Sequence, residues 1–242
     1  MKYLGIEPAR PKVAVFDFTG CEGCELQLAN HEETLLAFLG AMEIVRFREI
    51  SSAEGEDYDI ALLDGCISRS DEVTRLRQIR KQAKVLVAMG SCATFGGVNA
   101  QKNTVDPETA NRIVYGNHFR ESQPARPMRE WVDVDLEIPG CPVNKSEVER
   151  IVRHVALGVS YRPPSYPVCW ECKQRFTVCT YELGQLCLGP ITRGGCGAPC
   201  PAGGLACWGC RGAVPDCNFE AFMEQARDKA FPDAEIDERV SF

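Results

Sequence analysis

Residues 85–92 read VLVAMGSC. Five apolar residues run without polar alternation and end at Gly90. Such a run is a strand buried on both faces, which calls for a parallel sheet covered by helices. Cys92 follows at the carboxyl end of the strand, where open α/β sheets bind their ligands.

The same layout recurs along residues 12–157. Val13–Phe16, Glu43–Phe47, Ile60–Leu63 and Val132–Ile138 read as further strands. Leu26, Leu28, Leu35, Leu36 and Leu39 fall at roughly helical spacing before Gly40. Ser70 or Asp71 is placed to cap a helix to about Gln82, with Val73, Leu76 and Ile79 on one face. Asn144 or Ser146 is placed to cap another, carrying Val148, Ile151, Val152 and Val155. Residues 96–130 read as irregular. Alternating strands and helices predict an α/β fold, a parallel sheet with helices on both faces. Cys21 and Cys24 follow the first strand, Cys66 the third, Cys92 the fourth and Cys141 the last. Five cysteines thus collect at one sheet edge.

From Tyr161 the composition changes. RPPSYP reads as a linker. Residues 165–217 hold nine cysteines among many glycines and prolines, with almost no apolar periodicity. Such a segment needs something inside it to fold around. The expected division is residues 1–160, 161–218 and a helical tail at 219–242. Ser241-Phe242 carries no terminating signal, so the chain is read as open there.

Composition narrows the chemistry. The 242 residues carry a net charge of −7, which argues against nucleic acid as a partner. No apolar run suggests a membrane span, and the first residues lack a signal-peptide layout, so a cytoplasmic protein is expected. Disulfides need an oxidising compartment. Metal binding is the remaining general reading of fourteen cysteines.

Twelve of them sort into three sets of four: Cys21, Cys24, Cys92 and Cys141; Cys169, Cys172, Cys179 and Cys187; Cys196, Cys200, Cys207 and Cys210. Each set contains a C-x-x-C pair, which grips one metal group from a single turn. Zinc and iron–sulfur both use such spacings. Three sets together favour a relay, because several one-electron centres can move electrons and several zinc ions cannot. Cys66 and Cys217 are left over. Cys217 reads as a free thiol. Cys66 reads as a buried neighbour of the first set or as a spare ligand to it.

His31, His118 and His154 show no ligand spacing. Glu22 and Glu25 flank the first pair, either to move protons or, for Glu25, to favour a helix start. Trp170 and Trp208 lie inside C-x-x-C loops and are expected to shield metal groups. Arg75, Arg77, Arg80, Lys81 and Lys84 read as a solvated helix face.

The segments CEGCELQL, GSCATFGGV, IPGCPVNK, YPVCWEC, CLGPITRGGC and APCPAGGLACWGCRG span residues 21–212. Together they resemble the small, electron-transferring subunits of cytoplasmic multisubunit nickel–iron hydrogenases, of the sulfhydrogenase-delta and viologen-, NADP- or deazaflavin-linked kinds. The resemblance implies a flavodoxin-like sheet domain and a small ferredoxin-like cluster domain. It implies a proximal [4Fe–4S] cluster on Cys21, Cys24, Cys92 and Cys141. A distal cluster falls on Cys169, Cys172, Cys179 and Cys187, with Cys169 where many relatives have histidine. A medial cluster falls on Cys196, Cys200, Cys207 and Cys210, with Cys200 completing four irons. It implies a large subunit holding the nickel–iron site and a further redox subunit carrying flavin or more clusters. That subunit is NAD(P)-linked or heterodisulfide-reductase-linked in such complexes. Where this chain has Asp64-Gly65-Cys66, many relatives have glutamate, glycine and a small residue.

Three other readings remain open at this point. The respiratory complex I cluster subunit shares the sheet and one cluster, but it has adjacent cysteines and lacks the cysteine-rich third. A zinc-stabilised interaction protein would hold zinc without sulfide. A paralogous relay would serve a large partner that has lost nickel.

Overall fold

The computed structural model describes residues 10–30, 40, 42–118, 121–156 and 159–240. The chain divides into two compact units, residues 1–161 and 162–242.

The first unit is built on five parallel strands: β1 (Lys12–Asp17), β2 (Glu43–Arg46), β3 (Ile60–Asp64), β4 (Val85–Met89) and β5 (Leu136–Ile138). Their order is β2-β1-β3-β4-β5, the flavodoxin-like order with its switch point between β1 and β3. The register is continuous across the centre: Asp17 lies opposite Asp64, and Asp64 opposite Met89. All five carboxyl ends therefore finish along one edge.

Side chains alternate between the two faces, as a period of two requires. Val13, Val15, Ile60, Leu62, Val85 and Val87 pack with Leu28, Val148 and Ile151 on one face. Ala14, Phe16, Ala61, Leu63, Leu86 and Ala88 pack with Val73, Leu76 and Ile79 on the other. Helices Gly23–Ala29 and Lys145–Ala156 thus cover the first face, and helix Ser70–Gln82 the second.

Several details differ from the sequence reading. The last strand begins at Leu136, not Val132, because the Asp135 carboxylate takes the Leu86 amide hydrogen bond at 2.7 Å. Residues 96–130 are not irregular: they hold a 3-10 turn at Gly97–Thr104 and an α-helix at Pro107–Tyr115. Asp106 caps that helix by accepting from the Thr109 N–H, and Pro107 opens it. Neither Ser70 nor Asp71 caps its helix. Glu72 reaches back to the Ser68 N–H, and Glu121 accepts from the Ser70 N–H. Asn144 caps as expected, accepting from the Glu147 N–H. The basic face is not simply solvated: Arg80 pairs with Asp135, and Arg75 donates to the Asp17 carbonyl. The readings on His31, Leu35, Leu36 and Leu39 fall outside the described residues, as do the side chains of Val152 and Val155.

The second unit has short helices at Val168–Gln174 and Pro199–Ala202, then two longer ones at Phe219–Asp228 and Asp233–Val240. Its core joins Val168, Leu186, Leu188 and Ile191 to Phe222, Ala226 and Ile236. The cysteine-rich segment thus does bury apolar side chains, and the tail supplies part of them.

Candidate metal centres

The first set forms where β1, β3, β4 and β5 end. Cys21 and Cys24 lie at the start of helix Gly23–Ala29, Cys92 lies in helix Gly90–Phe95, and Cys141 lies in the loop after β5. Gly90 has φ +88, and a Cβ there would stand 2.5 Å from Cys24 Sγ. Only glycine lets β4 turn so close to that sulfur. Burial pushes the Cys92 thiol up to about 11, and Asp64, Cys141 and Cys21 add to it. Burial likewise raises Cys24, with Asp64, Cys92 and Cys141 contributing. Cys24 and Cys92 therefore both lie close enough to feel Cys141, and Cys92 also feels Cys21.

Asp64, at the end of β3, organises this corner. Its carboxylate accepts from the Gly65 N–H at 2.7 Å and the Cys24 N–H at 3.3 Å. It thereby ties the C-x-x-C helix to the sheet. Asn99 Nδ2 donates to Cys92 Sγ at 3.4 Å and lies 3.4 Å from the Thr19 carbonyl. The sequence reading named Asp64 only as part of Asp64-Gly65-Cys66, without this role, and missed Asn99. Asp64 had a signal, since it occupies the carboxyl end of a buried strand; Asn99 had none.

Cys66 is fully buried beside this set. Its backbone pairs with Thr19 in both directions. Burial raises its thiol to about 12, with Cys92 the next cause. Glu25 is not an exposed helix-start residue: it is 2% exposed, and its Oε1 is buried without a hydrogen-bond partner. Burial first, then Asp64 and Asp17, raises its carboxyl to about 8.

The other eight cysteines lie in the second unit. Burial raises Cys169 to about 12, and Cys187, Cys172 and Cys179 follow as causes. A Cβ on Gly189 would lie 3.3 Å from both Cys169 Sγ and Cys187 Sγ, so those sulfurs flank one glycine. Cys187 Sγ accepts from the Gly189 and Cys207 amides at 3.4 and 3.2 Å. Thr177 Oγ1 lies 2.8 Å from Cys172 Sγ. Burial raises Cys207 to about 12 and Cys196 to about 11, and it also raises Cys200; Cys210 contributes to all three. Cys187 in turn acts on Cys200 and Cys207, so the two sets adjoin.

None of the fourteen cysteines is in a disulfide. Among the described residues, no three His, Cys, Asp or Glu are grouped to hold a single metal ion. Thiols this far above neutrality keep their protons until a metal group takes the charge. Four-thiol sets, amide donors aimed at sulfur and glycines at the closest approaches all fit iron–sulfur clusters.

Trp170 and Trp208 are each about half exposed, at 51% and 50%. Trp170 packs on Tyr166, and the Arg239 guanidinium covers Trp208. His154 Nδ1 donates to the Arg150 carbonyl, and its ring packs on Tyr161, as a surface residue does. Cys217 packs against the core of the second unit. Among the described residues, no helix is long and apolar enough to cross a membrane.

Comparison with known proteins agrees with this layout. The family described as NADH ubiquinone oxidoreductase, 20 Kd subunit, matches residues 21–155, which contain the whole first set. Sulfhydrogenase 2 subunit delta of Pyrococcus furiosus is 38% identical over 230 residues, covering 93% of this chain and 95% of that protein. A subunit of the F420-non-reducing hydrogenase vhu of Methanocaldococcus jannaschii is 29% identical over 234 residues, covering 83% of this chain and 81% of that one. Among solved structures, a chain of an NAD+-reducing [NiFe]-hydrogenase in the H2-reduced state superposes with a TM-score of 0.57. It is 27% identical and covers 64% of this chain and 96% of that one. The chain belongs to the NADH ubiquinone oxidoreductase 20 kDa subunit family, and within it to the sulfhydrogenase-delta type of nickel–iron hydrogenase small subunits, the electron-transfer components of oxidoreductase complexes.

Proposed function

We propose that this chain relays electrons through three [4Fe–4S] clusters. One end of the relay is the H2-converting nickel–iron site of a large subunit, and the other is a further redox subunit in the cytoplasm. Cys21, Cys24, Cys92 and Cys141 would hold the proximal cluster. Cys196, Cys200, Cys207 and Cys210 would hold the medial one, and Cys169, Cys172, Cys179 and Cys187 the distal one. A [4Fe–4S] cluster, when bound, takes up and releases one electron at a time.

The reading is supported by thiols raised by burial whose neighbouring charges include other cysteines of the same proposed set: Cys92 and Cys141 beside Cys24, Cys187, Cys172 and Cys179 beside Cys169, and Cys210 beside Cys196, Cys200 and Cys207. The protein's own part is to lower the cost of holding and changing charge there. Asn99 and the amides of Gly189 and Cys207 donate to ligand sulfurs. Such donors stabilise the more negative, reduced state.

Metal and sulfide analysis of the anaerobically purified chain tests this. The expected content is about twelve irons and about twelve acid-labile sulfides per chain, from three four-iron clusters. Zinc without sulfide would overturn the reading. Hydrogen-dependent dye reduction by the intact complex tests the role of the large subunit. A complex with full clusters and no such activity would point to a partner that has lost nickel.

A further inference from the structure

Glu171 stands between two ligands of one thiol set, inside Cys169-Trp170-Glu171-Cys172, on helix Val168–Gln174. A glutamate on a short loop-like helix would ordinarily extend into water. This one is 8% exposed. A buried carboxylate is costly unless donors surround it. Its donors come from the other thiol set. The Gly195 N–H donates to Oε1 at 2.6 Å, and the Gly197 N–H donates to Oε2 at 2.9 Å. These amides flank Cys196, whose thiol points at Oε2 from 3.8 Å. The Tyr166 hydroxyl donates to Oε1 at 3.3 Å and completes the shell. A span of 24 to 26 residues is thus closed by one side chain.

We propose that Glu171 is a positioning residue for the neighbouring cluster: its carboxylate clamps the Gly195–Gly197 loop that presents Cys196, and its charge sets the potential there. The inference rests on the cluster-binding reading above. In the metal-free chain the Cys196 sulfur is a thiol and can donate to Oε2. With iron on that sulfur the proton is gone, and the two amides and Tyr166 still hold the carboxylate in place. A fixed negative charge then faces a ligand sulfur at short range. It opposes the extra electron of the reduced state and holds the potential down. Across the loop, buried Arg211 donates Nε to the Gly194 carbonyl at 2.8 Å, so a cation balances the same loop from its other side.

The test is an anaerobic redox titration of the full chain followed by EPR, with iron and sulfide measured on the same samples. Glu171→Gln keeps the shape and an acceptor for one amide but removes the charge. It should keep its iron and move one of the three midpoints upward, leaving the other two unchanged. Glu171→Ala removes the clamp as well. It should lose about a third of the iron, one cluster of three, and its remaining EPR signals should coincide with those of Cys196→Ala. Three unchanged midpoints in Glu171→Gln would overturn the proposal. So would full iron in Glu171→Ala, or loss of the cluster held by Cys169 in place of the one held by Cys196. A wild-type chain without iron and sulfide would instead overturn the cluster-binding reading itself.

Discussion

Replacing Gly90 by alanine attacks the first site through one methyl group. Gly90 lies in the left-handed region at φ +88, where a non-glycine residue costs about 1–2 kcal/mol. The added Cβ would stand 2.5 Å from Cys24 Sγ, 3.5 Å from Asp64 Oδ1 and 3.6 Å from the Gly140 carbonyl. Nonbonded carbon contacts settle near 3.5–4 Å. The sulfur of a ligand must therefore retreat by about 1 Å, and overpacking of that kind costs about 1–3 kcal/mol more. The sum, about 2–5 kcal/mol, is a large part of the roughly 5–15 kcal/mol that holds a domain together. The chemical effect is sharper than the loss of stability. With Cys24 displaced, iron should fall from about twelve to about eight per chain, because one four-iron site is lost. Gly116→Ala separates strain from contact. Gly116 also has positive φ, +62, but nothing lies within 4 Å of its Cβ position. That variant should lose about 1–3 kcal/mol through strain alone and keep all its iron. Iron and sulfide assays with urea unfolding check both. Full iron in Gly90→Ala, or equal iron loss in the two variants, would refute the steric reasoning.

Asn99→Ala removes an N–H donor from Cys92 Sγ; one EPR midpoint should move downward, since the reduced state loses a stabilising hydrogen bond. Leu86→Ala opens a cavity at a fully buried position of β4 and should cost about 2–5 kcal/mol in urea unfolding. Cys66→Ala should leave the iron content unchanged and cost about 1 kcal/mol for the lost sulfur contacts; loss of about four irons would instead make Cys66 a ligand.

The central sheet was legible because burial on both faces leaves no room for polar residues. Leu62, Leu63, Leu86 and Val87 have neighbours above and below, and their strands read as unbroken apolar runs. The ends were less legible. Val132 and Val134 look like strand residues, yet they lie only partly buried against the second face, and pairing waits until Leu136. Helix Pro107–Tyr115 escaped notice because it buries none of its residues; Ile113 and Val114 are 75% and 69% exposed. Its Asp-Pro start was a usable signal, while the apolar stripe that normally announces a helix faced no core. Cysteine spacing marked out the candidate thiol sets. Their supports were not legible, because they are long-range: Asp64 meets Cys24 across 40 residues, and Gly195 meets Glu171 across 24.

The second unit shows why those supports matter. Its buried cluster includes Cys187 and Cys207 beside Leu186, Leu188, Phe222 and Ile236. Two of the eight cysteines proposed as its ligands are therefore core residues as well. Apolar burial stabilises such a unit by about 25 cal/mol per Å², which is little for so small a core. The same burial raises the Cys207 thiol to about 12, and thiols without metal contribute no crosslink. Metal-free and metal-bound chains thus differ in more than redox capacity. On the cluster-binding proposal, taking up iron would convert eight separate thiols into ties between segments far apart in sequence, from Cys169 to Cys187 and from Cys196 to Cys210. The C-terminal helices supply Phe222, Ala226 and Ile236, which give those segments an apolar surface to rest on before the ties form. The tail at residues 219–240 is in this sense part of the core of the proposed cluster unit, not an appendage to it.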